Sequence, residues 1–331
     1  MVRPQVFALV LTLAPGIIHA QVPTAPPPRP PADIPLARLK ADATVALALA
    51  PGSVESADAV WVPDRAAGTV VRVDAKDNTL GAPIIVGAQP CASLVVAFDS
   101  VWVPLCGDGV IARADVKDVK TVKVAAPLKI AVADPDGRIA TGVGSVWAIT
   151  DRKGVLSRID PDTNLSVAEI YVAGGASSVV FSDDALWVTS EDEEKKGRLT
   201  RINPHNNEIV EVVEVGPKPG RLAVGEGGVW TLNRGNGTVT RVDPATNKVV
   251  ATIPVGEDAA KGEVVAAFGS VWISAPGVPI VRIDPRTNRA VQRFTGDGGG
   301  AILAAHGSLW VAAGPQLTWR LDPALVAAMR P

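Results

Sequence analysis

Short runs rich in Val, Ile, Thr and Trp recur along the chain, each broken off by Gly, Asn, Asp or Pro. The clearest stretch is residues 220–256, with strand candidates at 221–224, 229–232, 238–242 and 248–255. Between them stand Glu226-Gly227-Gly228, Asn233-Arg234-Gly235-Asn236-Gly237 and Asp243-Pro244-Ala245-Thr246-Asn247. Gly and Asn tolerate positive φ, and Pro and Asp favour turns, so the stretch predicts a four-stranded antiparallel meander. A sheet this small buries too little apolar surface to stand alone and must stack on copies of itself.

The copies are visible. A Trp in a frame of small residues recurs at Trp61, Trp102, Trp147, Trp187, Trp230, Trp272 and Trp310, at steps of 38 to 45 residues. A second mark follows each Trp: Arg72-Val73-Asp74, Arg113-Ala114-Asp115, Arg158-Ile159-Asp160, Arg201-Ile202-Asn203, Arg241-Val242-Asp243, Arg282-Ile283-Asp284 and Arg320-Leu321-Asp322. Two marks in register seven times predict an all-β, seven-bladed β-propeller. The Trp side chains are expected to wedge between blades. The Arg and Asp are expected to pair locally and cap turns.

The two ends of the repeat complete each other. Residues 43–51 match the fourth strand of a blade but have no first three strands before them, whereas the seventh blade leaves the pattern after residues 317–321. The N-terminal strand is therefore expected to close the ring as the outer strand of the last blade, leaving no long edge exposed.

These blades resemble the YVTN repeat and, more broadly, the propeller superfamily that includes virginiamycin B (streptogramin) lyase. The resemblance covers roughly residues 43–323. It implies the propeller fold and leaves activity open, since similar propellers serve as binding platforms, scaffolds and enzymes. The likeness to the lyase implies a His base with carboxylates and a bound magnesium ion. His19 belongs to the leading segment, and His205 and His306 fall in turns on the face opposite the channel mouth, where that arrangement has no use for them.

Composition narrows the class. With 47% hydrophobic and 20% charged residues, the chain suits strands covered on both faces by neighbouring blades. A net charge of −2 without a Lys/Arg block argues against nucleic acid or an anionic membrane as partner. Residues 1–20 read as a secretory signal peptide, with one basic residue, Arg3, an apolar run and a small residue, Ala20, at the cut. Residues 21–42 read as a Pro-rich tether, whose 22–35 stretch suits extended polyproline conformation, and residues 43–331 as one propeller domain. No apolar run is long enough to span a membrane, so the mature protein is expected to be periplasmic or secreted, and a monomer. In an oxidising compartment the only two cysteines, Cys91 and Cys106, are expected to form a disulfide on the top face of blade two.

The chemistry is sought where the repeat varies. The start of each first strand and the end of each second lie on one face, the channel mouth. Nine residues before the Trp stand Gly52, Ser93, Arg138, Ser178, Arg221, Glu263 and Ala301; four after it stand Arg65, Cys106, Asp151, Glu191, Arg234, Pro276 and Gly314. Arg65, Arg138, Asp151, Glu191, Arg221, Arg234, Lys261 and Glu263 are thus candidate ligand-binding residues. Their arginines suit a carboxylate or phosphate, with Arg221 and Arg234 expected at the centre. Blade four has a longer loop, residues 191–196, whose charges are expected to be solvated, with capping of the mouth or attraction of a cation as the alternatives. There is no P-loop, GxSxG, HExxH or zinc-type spacing. Two readings remain: a non-catalytic propeller binding a small molecule or protein without a cofactor, and a lyase or lactonase that uses Glu191, Asp151 and Glu263 with Mg²⁺ or Ca²⁺.

Overall fold

A computed structural model describes residues 31–116, 123–124, 130–131, 138–151 and 153–330. The readings of residues 1–20 as a signal peptide and of residues 21–30 as a tether lie outside them. Seven sheets follow one another along the chain, with first strands Val54–Glu55, Val95–Ala97, Ile139–Gly142, Gly175–Ser182, Pro219–Gly225, Glu263–Ala267 and Ile302–Ala305. Each first strand touches the first strand of the next blade, and the seventh touches the first, so these strands line a central channel. The fold is a seven-bladed β-propeller.

Local chemistry explains each blade. In blades two to seven the first hairpin turns on two residues that both have positive φ: Phe98-Asp99, Val143-Gly144, Asp183-Asp184, Glu226-Gly227, Phe268-Gly269 and His306-Gly307. Such turns match the right-handed twist of the strands they join. The Trp of each second strand is then buried: Trp102, Trp147, Trp187, Trp230, Trp272 and Trp310 are among the largest fully buried side chains. The indole N–H groups of Trp102, Trp147, Trp230, Trp272 and Trp310 find carbonyls five residues back, as Trp147 donates to Gly142 and Trp230 to Gly225. The apolar clusters run from blade to blade, so each blade supplies half of its neighbour's core.

The second mark does more than the expected local pairing. Arg113, Arg158, Arg201 and Arg241 each lie over the Trp of their own blade. Each then reaches the following blade, where it donates to a Pro carbonyl and an Asn side chain: Pro161 and Asn164, Pro204 and Asn207, Pro244 and Asn247, Pro285 and Asn288. These Asn occupy left-handed backbone positions that end the turn, so one residue shapes the loop and receives the latch. The Asp of the mark caps that turn, as Asp243 accepts from the Ala245 N–H. Arg320 makes the same latch to Ala75 and Asn78 of blade one, across the closure. Arg72 instead pairs with Asp58 at 2.7 Å and Asp74 at 3.3 Å.

Closure occurs as expected: Ala43–Val45 pairs antiparallel with Leu317–Leu321. Val45 and Leu49 are buried beside blade seven and blade one. The expected tether stops short of residue 42, because Asp33–Pro35 pairs in parallel with Arg293–Thr295 as a fifth strand on blade six. Polyproline and strand occupy neighbouring backbone conformations, and an edge strand accepts Pro because one side of it needs no ladder donor. Ile34 is fully buried there, Leu36 and Leu39 follow it inward, and Asp33 pairs with Arg293 at 3.0 Å. After blade seven a short helix, Pro323–Ala328, is held by Gln292, whose amide donates to the carbonyls of Val326 and Met329. Cys91 and Cys106 form the expected disulfide, with Cα atoms 5.1 Å apart. Among the described residues no helix is long and apolar enough to cross a membrane.

Candidate functional site

The seven positions at the starts of the first strands form the channel mouth. Ser93, Arg138, Ser178, Arg221 and Ala301 are buried, and Gly52 and Glu263 are half-buried. These positions sit inside the mouth. By contrast Arg65, Asp151 and Arg234, at the ends of the second strands, are exposed.

Three of the inner residues converge. Arg221 Nε lies 2.6 Å from Glu263 Oε1, and Arg138 Nη2 lies 3.5 Å from the same oxygen. Blades three, five and six thus meet at one carboxylate. Glu263 is held there by the segment before it: a 3-10 turn, Ala259–Lys261, capped by the Asp258 carboxylate, which accepts from the Ala259 N–H. Gly262 joins that turn to the strand, and a Cβ at this position would collide with the Ser274 carbonyl. The turn also carries Lys261 to the mouth, exposed.

Charge and shape fit one another here. Arg221 and Lys261 line a cleft with Glu263, and Arg138 meets the same carboxylate from blade three, so among the described residues three cations gather about it in a place that concentrates their field. Arg138 has only 8% of its side chain exposed; its Nη2 has only the long ion pair to Glu263, and its Nε has no hydrogen-bond partner. A buried donor left without an acceptor costs about 1–3 kcal/mol, more when charged. Beside the cluster opens a cavity of about 270 Å³ lined by Arg221, Lys261, Glu263, Leu49, Pro51 and Pro276.

The remaining candidates lie elsewhere. Arg234 lies over Gly220 and Arg65 bonds the Gln89 side chain at 3.3 Å; neither lines the cavity. The partner of Arg221 at the centre is therefore Glu263, with Arg138 from across the channel, and Arg234 stays exposed. Asp151 lines a different hollow, of about 400 Å³, on the flank of blade three with Thr150, Ser157 and Glu169. A third hollow, of about 360 Å³, lies on the far face, lined by Arg158 and Asn207 of the latch. Glu191 is half-buried at the end of its strand. In the adjoining loop Asp192 is held below the usual carboxylate range by the Lys196 N–H and by Arg198, at 2.7 Å. Lys196 pairs with Glu194, so much of this loop's charge is satisfied within it. Among the described residues no three His, Cys, Asp or Glu side chains group closely enough to hold a metal ion. His205 bonds both oxygens of Asp184, at 2.8 and 2.9 Å, and the His306 ring meets the Ala59 carbonyl, both among the turns of the far face.

No family model matches the chain, and no curated protein matches it. Solved structures do. The chain is similar to Kuenenia stuttgartiensis hydrazine synthase, with a TM-score of 0.68 and 14% identity over 86% of this chain and 98% of that one. It is also similar to the computationally designed Ika8 protein, with a TM-score of 0.60 and 13% identity over 81% of this chain and 83% of that one. At such identities the likeness is one of fold.

Proposed function

We propose that this protein is an exported, non-catalytic binding propeller that takes a small-molecule ligand at its channel mouth. The observation that carries the reading is the meeting of Arg138 and Arg221 on Glu263 beside a cavity of about 270 Å³. It lies on the face where the repeat loses its symmetry, and a buried polar cluster of this kind is not required for blade packing. The disulfide fits an oxidising compartment, in line with the leading apolar segment.

The alternative, a lyase or lactonase of the streptogramin lyase type, asks Asp151, Glu191 and Glu263 to act together around a cation. They stand on blades three, four and six, and of the three only Glu263 lines the mouth cavity. Both described histidines belong to the opposite face. These placements favour binding over turnover.

The reading is tested by a thermal-shift screen of the purified protein against metabolites, Ca²⁺ and Mg²⁺, since a ligand bound only by the folded state raises its Tm. A hit is expected to be recovered chemically unchanged, and to lose its shift in Arg221→Ala but keep it in Arg65→Ala. Conversion of the hit to product, or a shift indifferent to Arg221→Ala, would overturn the proposal.

A further inference from the structure

We infer that the ligand of the mouth is a small organic carboxylate, held by Arg221 and Lys261 with Arg138 adding its charge from beside Glu263, and with its hydrocarbon part against Leu49, Pro51 and Pro276. The inference rests on the mouth being the ligand site and adds the chemical class of what binds there.

The charge argument comes first. Two guanidinium groups share one oxygen of Glu263, so two like charges are brought together in a poorly solvated place about that carboxylate. Arg138 keeps its buried Nε without a hydrogen-bond acceptor, and its Nη2 meets Glu263 only at the long distance of 3.5 Å. An anion entering the mouth adds negative charge beside the two guanidinium groups and offers oxygens to Arg221, which is already desolvated and fixed in place. Lys261, exposed on the 3-10 turn beside them, adds an attraction that reaches into solvent.

Shape then selects among anions. The cavity has a cationic side and an apolar wall of Leu49, Pro51 and Pro276. Inorganic phosphate or sulfate gains nothing from that wall, whereas a carboxylate on a short hydrocarbon body meets both halves. A planar carboxylate also matches the guanidinium fork. At about 270 Å³ the space falls below the roughly 300–1,000 Å³ usual for ligand pockets, which limits the ligand to a few carbons.

The test is isothermal calorimetry of the full mature chain with acetate, butyrate and succinate, with succinamide as the neutral counterpart of succinate and inorganic phosphate as the non-carbon anion. At least one of the longer carboxylates is expected to bind more tightly than acetate and phosphate, with affinity falling as NaCl is raised. Succinamide is expected not to bind. Arg138→Gln and Lys261→Ala are each expected to weaken the binding by several-fold, since each removes one of the cations gathered at the mouth. Lys261 is exposed, so its variant tests the idea even where Arg138→Gln disturbs folding.

Failure of all three carboxylates, equal binding of succinamide, or affinities unmoved by both variants would overturn the inference. Binding of phosphate alone would do so too, while leaving the mouth as the site. A neutral metabolite that binds in an Arg221-dependent way would likewise keep the site and remove the class. If the hits of the screen ignore Arg221→Ala, the site itself is wrong.

Discussion

The two faces of this propeller are built from the same strands and treat their arginines in opposite ways. On the far face Arg113, Arg158, Arg201, Arg241 and Arg320 repeat one arrangement, stacked on a Trp and bonded to the next blade's turn. At the mouth Arg138 and Arg221 hold one repeat position that the other five blades fill with Gly, Ser, Glu or Ala, and both turn to Glu263. A side chain repeated in every blade answers a need that every blade shares, which is packing. A side chain kept in only two blades answers something that packing does not demand.

The largest effect is expected where the repeated framework is interrupted, at its seam. A chain beginning at Pro51 loses the closing strand and the fifth strand of blade six, together with the buried Ile34, Leu36, Val45 and Leu49. At about 1.5–3 kcal/mol per side chain the loss is of the order of 6–12 kcal/mol, an upper figure because the unfolded chain already buries some of this surface. That rivals the whole stability of an ordinary domain, about 5–15 kcal/mol. The truncated chain is expected to aggregate through its uncovered edges, as light scattering would report. An unchanged Tm would show that the closing strand is dispensable.

Next comes the disulfide, the one covalent element near the mouth. Its members are 15 residues apart, a loop for which chain entropy gives about 3 kcal/mol. The double change of Cys91 and Cys106 to Ser should lower denaturant stability by about that amount without changing the fold. Beside it Ser93 accepts the backbone N–H of Ile139, the residue after Arg138. The same variant should therefore also loosen ligand binding, which separates this brace from those of the far face.

On the far face, Arg201→Ala removes a stacked cation and its bonds to Pro244 and Asn247. A loss of about 1–3 kcal/mol is expected by chemical denaturation, with ligand affinity unchanged. Lys261→Ala at the mouth should do the reverse, leaving stability nearly constant and weakening ligand. If both variants moved the same property, the contrast between the faces would fail.

Most of the framework was legible because its marks are short in sequence: a Trp, then an Arg-x-Asp, then a turn. Even the closure could be read, since the fragments at residues 43–51 and 317–321 are each incomplete without the other. Three features escaped for different reasons. The fifth strand was hidden by composition, because a Pro-rich segment reads as a spacer until Ile34, Leu36 and Leu39 are seen to turn inward. The latch escaped because neighbours in sequence suggest local pairing of Arg with Asp. The recurrence of Asn164, Asn207, Asn247 and Asn288 at one place in the turn was the available signal for its true partner. At the mouth Arg138, Arg221 and Glu263 all stood among the candidates, but their meeting depends on how far each side chain reaches across a closed ring. No spacing encodes that distance, and Arg221 with Arg234 looked the nearer pair.

The smallest effect tests whether the turn carboxylates belong wholly to the framework. Asp243 is held below its ordinary range chiefly by the Ala245 N–H, with the Thr246 hydroxyl next; Asp160 is lowered in the same way by the N–H groups of Thr163 and Asp162. A carboxylate whose pKa is lowered by folding contributes stability that is present above its unfolded value of about 3.9 and is lost as pH falls through the folded value. Blade four already runs the same turn without a carboxylate, since the Asn203 side-chain oxygen accepts the His205 N–H at 2.9 Å. Asp243→Asn should therefore keep the turn and cost little at neutral pH. Below pH of about 4 the variant should lose less stability than the parent, because one proton-linked group has been removed. Urea melts at pH 7 and pH 3 measure both quantities. Equal losses on acidification would mean that the Asp243 charge does no work in the fold, leaving its hydrogen-bonding oxygen as the whole of its role.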